Sequence, residues 1–207
     1  MAEELPRAPS NTYEKRLLDE GYRYIAGVDE VGRGCLAGPV VAAAVILHLS
    51  HTIVGLNDSK LLTPEKRERL SKEIYSQAIA VGIGLVAPDI IDEINILQAT
   101  RLAMKKGVEG LKPPADYLLI DGNISVAGQL PQLSIPKGDR LCQSISAASI
   151  VAKVFRDHLM IDYHERYPQY DFLSNKGYLT FKHLDAIEKY GPTQIHRMSF
   201  RPLHPRS

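Results

Sequence analysis

The sequence predicts an α/β domain built on a central mixed β-sheet flanked by helices, with a helical segment toward the C-terminus. Three observations carry this. A strand pattern at 24–31 and the unbroken apolar run Val40–Leu47 sit early in the chain, helical and strand patterns alternate after them, and an amphipathic pattern at 180–190 closes the series. The 207 residues fit one domain of ordinary size with a single substantial core. Residues 1–21 read as an N-terminal extension, polar and proline-containing, with a short helix allowed at 13–18. Residues 22–207 read as the domain proper, with C-terminal helices and a basic tail.

The strand at 24–31 stops at Gly32-Arg33-Gly34, where two glycines free the backbone. Continuous apolarity in Val40–Leu47 suits a strand covered on both faces, and it is expected at the heart of the sheet. Thr63 followed by Pro64 marks a helix start, with Leu70, Ile74 and Ala78 on one face and Gly82 as its end. A short strand at 83–86 precedes a helix at 95–109, which Lys112-Pro113-Pro114 breaks. Strands at 117–120 and Gln132–Ile135 follow, the first delivering Asp121 and the turn-like Gly122-Asn123 at its end. Ala147, Ile150, Val151, Val154 and Phe155 mark the apolar face of a long helix, with Lys153 and Arg156 on its polar side. Gly191-Pro192 ends the last helix, and a tail carrying His196, Arg197, Arg201, His204 and Arg206 runs on.

Composition narrows the class more than it defines a function. With 44% hydrophobic and 24% charged residues, the chain is close to the globular average. Its 25 Lys and Arg nearly balance 24 Asp and Glu, so any nucleic-acid affinity must come from local patches. The longest apolar run falls far short of the roughly 20 residues a membrane span needs. Cys35 and Cys142 form neither a disulfide framework nor a metal-ligand spacing, and both are expected as free thiols packed in the reducing cytoplasm.

The chemically loaded positions are Asp29-Glu30, Asp121 and Asp139, each close to glycine at a predicted strand end or loop. Carboxylates are ligands for hard cations such as Mg²⁺, and two such ions about 4 Å apart can activate a water and stabilise a leaving oxygen in phosphodiester cleavage. Asp29 and Glu30 are neighbours and point to opposite faces of a regular strand, so they serve one site only where the strand ends or twists. Taken singly, each Asp reads equally as a turn or cap residue, and the residues alone leave both readings open. Asp58, Asp89, Asp92 and Glu93 read as turn or helix-start charges and stay outside the metal set.

Gly27-Val28-Asp29-Glu30-Val31-Gly32-Arg33-Gly34 resembles the signature that opens the bacterial ribonuclease HII family. The likeness continues through Gly55 to Lys60, Ile120 to Asn123, Lys137-Gly138-Asp139 and Ser146 to Asp157. It extends through Lys176-Gly177-Tyr178, Tyr190-Gly191-Pro192, His196-Arg197 and Ser199-Phe200, covering residues 22–203 in the family's order. The resemblance implies a ribonuclease H-like fold in which Asp29, Glu30, Asp121 and Asp139 bind Mg²⁺ or Mn²⁺. It implies that Gly32-Arg33-Gly34 reads a 2′-hydroxyl through main-chain groups, that Tyr178 packs on the following deoxyribose, and that Ser59 and Lys60 contact phosphate or the junction. The implied substrates are RNA–DNA hybrids and duplex DNA with embedded ribonucleotides, cut 5′ of the ribonucleotide by a monomeric enzyme without membrane attachment.

Bland readings stand beside these: Tyr178 as a half-buried aromatic, Arg33 as a surface charge, and Arg197 and Arg201 as either phosphate contacts or a solvated terminus. Relative to the family pattern, Leu61 stands where a second lysine is common, Cys35 where proline is frequent, and Arg140 where a small residue is usual. Asn175 and Leu179 replace the usual His and Pro. None removes a carboxylate. The related ribonuclease HIII differs in its opening motif, and a non-catalytic binding module would require loss of one of the four acids. A phosphatase of small substrates fits the glycine loop and basic tail poorly.

Overall fold

The computed structural model describes residues 8–48, 50, 53–126 and 128–203. Five strands form one sheet: β1 (Ile25–Val31), β2 (Val40–Leu47), β3 (Ala78–Val86), β4 (Tyr117–Asp121) and β5 (Gln132–Ile135). Their order is β3-β2-β1-β4-β5. β1 pairs antiparallel with β2 and parallel with β4, so β1 is the central strand and the seam between the two halves. β2 is buried along its whole length, as its apolarity requires, yet lies one place from the centre.

Helix α1 spans Thr12–Asp19, α2 Pro64–Gln77, α3 Pro88–Glu109, α4 Gln143–Arg166, α5 Phe172–Asn175 and α6 Phe181–Tyr190. α3 covers one face, packing Ala99, Ala103 and Met104 on Val28, Ala42, Ala44 and Ile120. α2 and α4 cover the other, with Leu70, Ile74, Ile150 and Val151 against Val41, Ala43 and Val45. Each such aliphatic side chain removed from water stabilises the fold by roughly 1.5–3 kcal/mol, before the cost of ordering it. Among the described residues no helix is long and apolar enough to cross a membrane.

Helix boundaries follow local chemistry. Thr63 Oγ1 accepts from the Lys66 N–H and Pro64 occupies the first turn of α2. Within α3, Asn95 departs from helical geometry at φ 66° and its Oδ1 accepts from the N–H groups of Leu97 and Gln98. It thus caps the segment read from sequence as a helix beginning at 95. α2 ends at Gln77 instead of Gly82, because Gly82 and Gly84 belong to β3. A Cβ on Gly84 would sit 1.9 Å from the Ala103 carbonyl oxygen, and one on Gly82 2.0 Å from that of Gly107. These glycines let α3 lie against the strand.

The opposite face has its own close approach. A Cβ on Gly27 would lie 2.0 Å from the Ser144 carbonyl carbon, so the first turn of α4 rests directly on the middle of β1. α1 supports the same turn. Glu14 is buried, and its Oε1 accepts from the Ser144 N–H and the Cys142 thiol, satisfying a free donor at the start of α4. Both cysteines are free and buried, as the sequence reading has them.

Gly27→Ala should destabilise the protein by about 3 kcal/mol or more, the upper range for overpacking, since the obstruction is backbone. Urea titration of the two proteins checks this; an unchanged midpoint would mean that α4 shifts freely on β1.

Candidate active site

The strand register brings the acids together. Val28 of β1 pairs with Ile120 of β4, so the next residue on each parallel strand is an aspartate, Asp29 beside Asp121. Both project to the α4 face, opposite Val28 and Ile120. Asp139 arrives from the 3₁₀ turn Gly138–Arg140 that leads into α4, and its N–H donates to Asp121 Oδ1 at 3.3 Å. Glu30 points away from Asp29 as alternation demands, but at the strand end it remains within electrostatic reach of Asp121. Its Oε1 accepts from Arg33 Nη1 at 3.1 Å.

Burial with like charge perturbs these groups. Asp29 is held well above the usual carboxylate range, first by burial and then by the charges of Glu30 and Asp121. Burial also raises Glu30, against the pull of Arg33. Asp139 is raised to about 6 by burial, then by Asp121 and Asp58, with Lys60 and Arg140 opposing. Among the described residues no group of three or more His, Cys, Asp or Glu side chains is arranged so that it could hold a metal ion as it stands. The acids are gathered but engaged with other partners: Glu30 with Arg33, and Asp121 with the Asp139 amide.

Asp58 comes closer to this site than its turn composition suggested. It is buried, accepts from the Lys60 N–H, and pairs with Arg140 Nη2 at 2.9 Å. Arg140 thereby joins the 58–60 turn to the Asp139 turn. Ser59 is buried beneath the site with its hydroxyl 3.0 Å from that of Ser149, and the Ser149 hydroxyl is close enough to Asp29 to favour its charged form. Lys60 is exposed and close enough to Asp139 to lower its proton affinity.

Two buried arginines, read from sequence as a polar-side helix residue and a tail cation, build the loops around the acids. Arg197 donates to the carbonyls of Gly32, Arg33 and Gly38, so it cannot reach a duplex phosphate. Arg156 donates to the carbonyls of Ala37, Pro39 and Lys176. Its spacing with the buried Ala152 and Met160, four residues to either side, is the sequence signal that places it on the inward stripe of α4. Asp92, read as a solvated charge, accepts from the N–H groups of Met198 and Ser199 and fixes the start of the tail to α3. Arg201 is exposed; His204 and Arg206 lie outside the described residues.

Tyr178 stands at the edge of this assembly, 44% exposed, and burial of its lower part raises the proton affinity of its hydroxyl. Three successive carbonyls hold its loop. That of Lys176 accepts from Arg156 Nη1 at 2.8 Å, and that of Gly177 from the Leu36 N–H at 2.8 Å. That of Tyr178 is 2.9 Å from His183 Nδ1. Gly177 has φ +85°, and a Cβ there would be 2.3 Å from the Ala37 carbonyl oxygen, so only glycine allows the tyrosine loop to touch the glycine loop. Asn175 Oδ1 accepts from the Gly177 N–H and completes the turn.

A mixed sheet with acids at the ends of its central parallel pair is the ribonuclease H type of α/β fold, and solved structures agree. The ribonuclease H2 of Pyrococcus horikoshii OT3 superposes with a TM-score of 0.75 at 23% identity, covering 87% of this chain and 95% of that one. A Bst-RNase HIII structure in complex with Mn²⁺ gives 0.69 at 17% identity, covering 88% and 68%. The profile of the family described as Ribonuclease HII matches residues 26–202. Ribonuclease HII of Lactobacillus johnsonii is 53% identical over 192 residues, 93% of this chain and 76% of that protein. That of Listeria monocytogenes serotype 4b is 52% identical over 191 residues, 92% and 73% respectively. The chain belongs to the ribonuclease HII family, a family of RNA-hydrolysing enzymes.

Asp139 in the metal-free protein should titrate near pH 6, above its ordinary 3.8, and Asp121→Asn should move it downward by removing a like charge. Its raised folded value means that this group favours the folded state in acid and that the contribution is lost as pH rises from about 3.8 to about 6. Carboxyl ¹³C NMR across that window tests the assignment. An Asp139 midpoint unmoved by the substitution would show that the two acids do not interact.

Proposed function

We propose that this protein is an endoribonuclease that hydrolyses the RNA strand of RNA–DNA hybrids and incises duplex DNA 5′ of single embedded ribonucleotides. The products have 3′-hydroxyl and 5′-phosphate ends. The observation that carries this reading is the gathering of Asp29, Glu30, Asp121 and Asp139 at the end of the central strands, beside a glycine loop fastened to the Tyr178 loop.

The donor chemistry fits a hard divalent cation. All four side chains offer oxygen, and the upward shifts of Asp29 and Asp139 come first from burial and then from neighbouring negative charge, both of which a bound cation would offset. Asp29, Glu30, Asp121 and Asp139 would hold it, with Glu30 exchanging Arg33 for the ion. Held there as Mg²⁺ or Mn²⁺, in a two-ion arrangement, the cation would supply water activation and charge neutralisation at the scissile phosphate.

The chain's own residues select and orient the substrate. Gly34 is exposed and leaves main-chain groups open to a ribose, while Arg197 holds the carbonyls of Gly32 and Arg33 inward; a 2′-hydroxyl is both donor and acceptor, which is what separates RNA from DNA at such a contact. Arg197 and Arg156 hold the carbonyls on the inner side of this loop, fixing where its outer groups point. Tyr178 offers a flat apolar surface for the deoxyribose that follows the ribonucleotide. Arg33 and Lys60 are exposed cations suited to the flanking phosphates, and the Ser59–Ser149 hydroxyl pair lies beside Asp29 and favours its charged form.

An end-labelled DNA duplex with one ribonucleotide should be cut on the 5′ side of that residue in Mg²⁺ or Mn²⁺, with no cut in all-DNA. Asp121→Asn should reduce the rate at least about a hundredfold, the scale of losing a group that acts at the transition state. No cut by the native protein on this duplex or on a long hybrid would favour a non-catalytic binding module. Tyr178→Ala should weaken cleavage at the single ribonucleotide while metal binding, followed by calorimetry, is retained. Loss of metal binding would make the tyrosine a structural residue.

A further inference from the structure

Behind Tyr178 lies a pair of histidines that neither the fold nor the acid cluster explains. His183 is wholly buried and His196 nearly so. Their Nε2 atoms are 3.0 Å apart, a separation that requires one proton between them. Tyr170 and Phe172 enclose the rings, with Tyr170 5.1 Å from His196 and Phe172 5.3 Å from His183 between centroids.

The two ends of the pair fix where each proton sits. The Thr193 N–H can only donate, and it meets His196 Nδ1 at 2.9 Å, so that nitrogen is an acceptor. The proton of neutral His196 is therefore on Nε2 and donates to His183 Nε2. His183 must then carry its proton on Nδ1, where the Tyr178 carbonyl, which can only accept, lies 2.9 Å away. Starting from the Tyr178 end gives the same assignment. Burial lowers the proton affinity of both rings, keeping them neutral and the chain one-directional.

We infer that His183 is a positioning residue for substrate selection, with His196 holding it in the Nδ1–H tautomer: the N–H that His183 donates to the Tyr178 carbonyl, at the end of this two-ring relay, sets where the Tyr178 ring stands against the sugar. The inference rests on the proposed role of Tyr178. Lys176 and Gly177 are tied to other partners, so His183 is what fixes the last peptide before the tyrosine loop turns into α6.

Two measurements test it. In the native protein near pH 7.5, long-range ¹H–¹⁵N correlation should show the Nδ1–H tautomer for His183 and the Nε2–H tautomer for His196; the reverse pair overturns the relay. In the holoenzyme with Mg²⁺, the ratio of kcat/KM on a single embedded ribonucleotide to that on a long hybrid reads sugar selection. His183→Phe should lower this ratio roughly tenfold, the scale of one positioning hydrogen bond. His183→Asn, whose amide N–H can replace Nδ1–H, should restore it to within about threefold of native.

A native ratio in His183→Phe beside a lowered one in Tyr178→Ala overturns the relay alone. An unchanged ratio in Tyr178→Ala removes the tyrosine reading and the relay with it. Equal defects in His183→Asn and His183→Phe would assign the ring a packing role and also overturn the proposal.

Discussion

The contact on which the rest depends is the seating of the α4 N-terminus on β1 at Gly27, where no side chain separates helix from strand. That approach sets the depth of α4 over the sheet. Three things hang from it: the Asp139 turn just before the helix, Ser149 over Asp29, and Arg156 further along, reaching the loops. Glu14 secures the same end from below by accepting the Ser144 amide. A single glycine in the opening motif thus governs the height of one acid relative to the three on the strands.

Around that contact the molecule concentrates negative charge in a partly desolvated place and holds it with neutral dipoles and a few cations. Asp29 is answered by Ser149 and the Glu30 amide, Glu30 by Arg33, and Asp58 by Arg140. The arginines within the loops do different work. Arg156 and Arg197 have main-chain carbonyls as hydrogen-bond partners, so each guanidinium spreads its charge over several fixed oxygens and makes one rigid body of segments far apart in sequence.

Much of this was legible in the sequence, and the misses have physical reasons. The run Val40–Leu47, the Thr63-Pro64 start of α2 and the Asp121 strand end are local patterns, and local patterns fold as written. The four acids were legible as candidates because acid beside glycine at strand ends is conspicuous; their proximity, though not their role, is what the structure adds. Gly82 misled because a glycine that ends a helix and a glycine that admits one look alike in sequence. His196 and Arg197 read as a basic tail because charge is visible in sequence while the carbonyls and imidazole that absorb it are scattered over more than a hundred residues. Strand order is likewise non-local, and β1 took the centre that the more apolar β2 was expected to hold.

The three restrained carbonyls before and at Tyr178 bear on timing as much as on shape. A segment whose successive peptides are each anchored has little backbone freedom left to surrender when a ligand arrives, so the ordering cost is met during folding. Such a platform cannot swing shut over a bound duplex. On the proposed reading of Tyr178, a mismatched sugar would be discriminated by how fast its strand leaves instead of by a closing motion that follows binding.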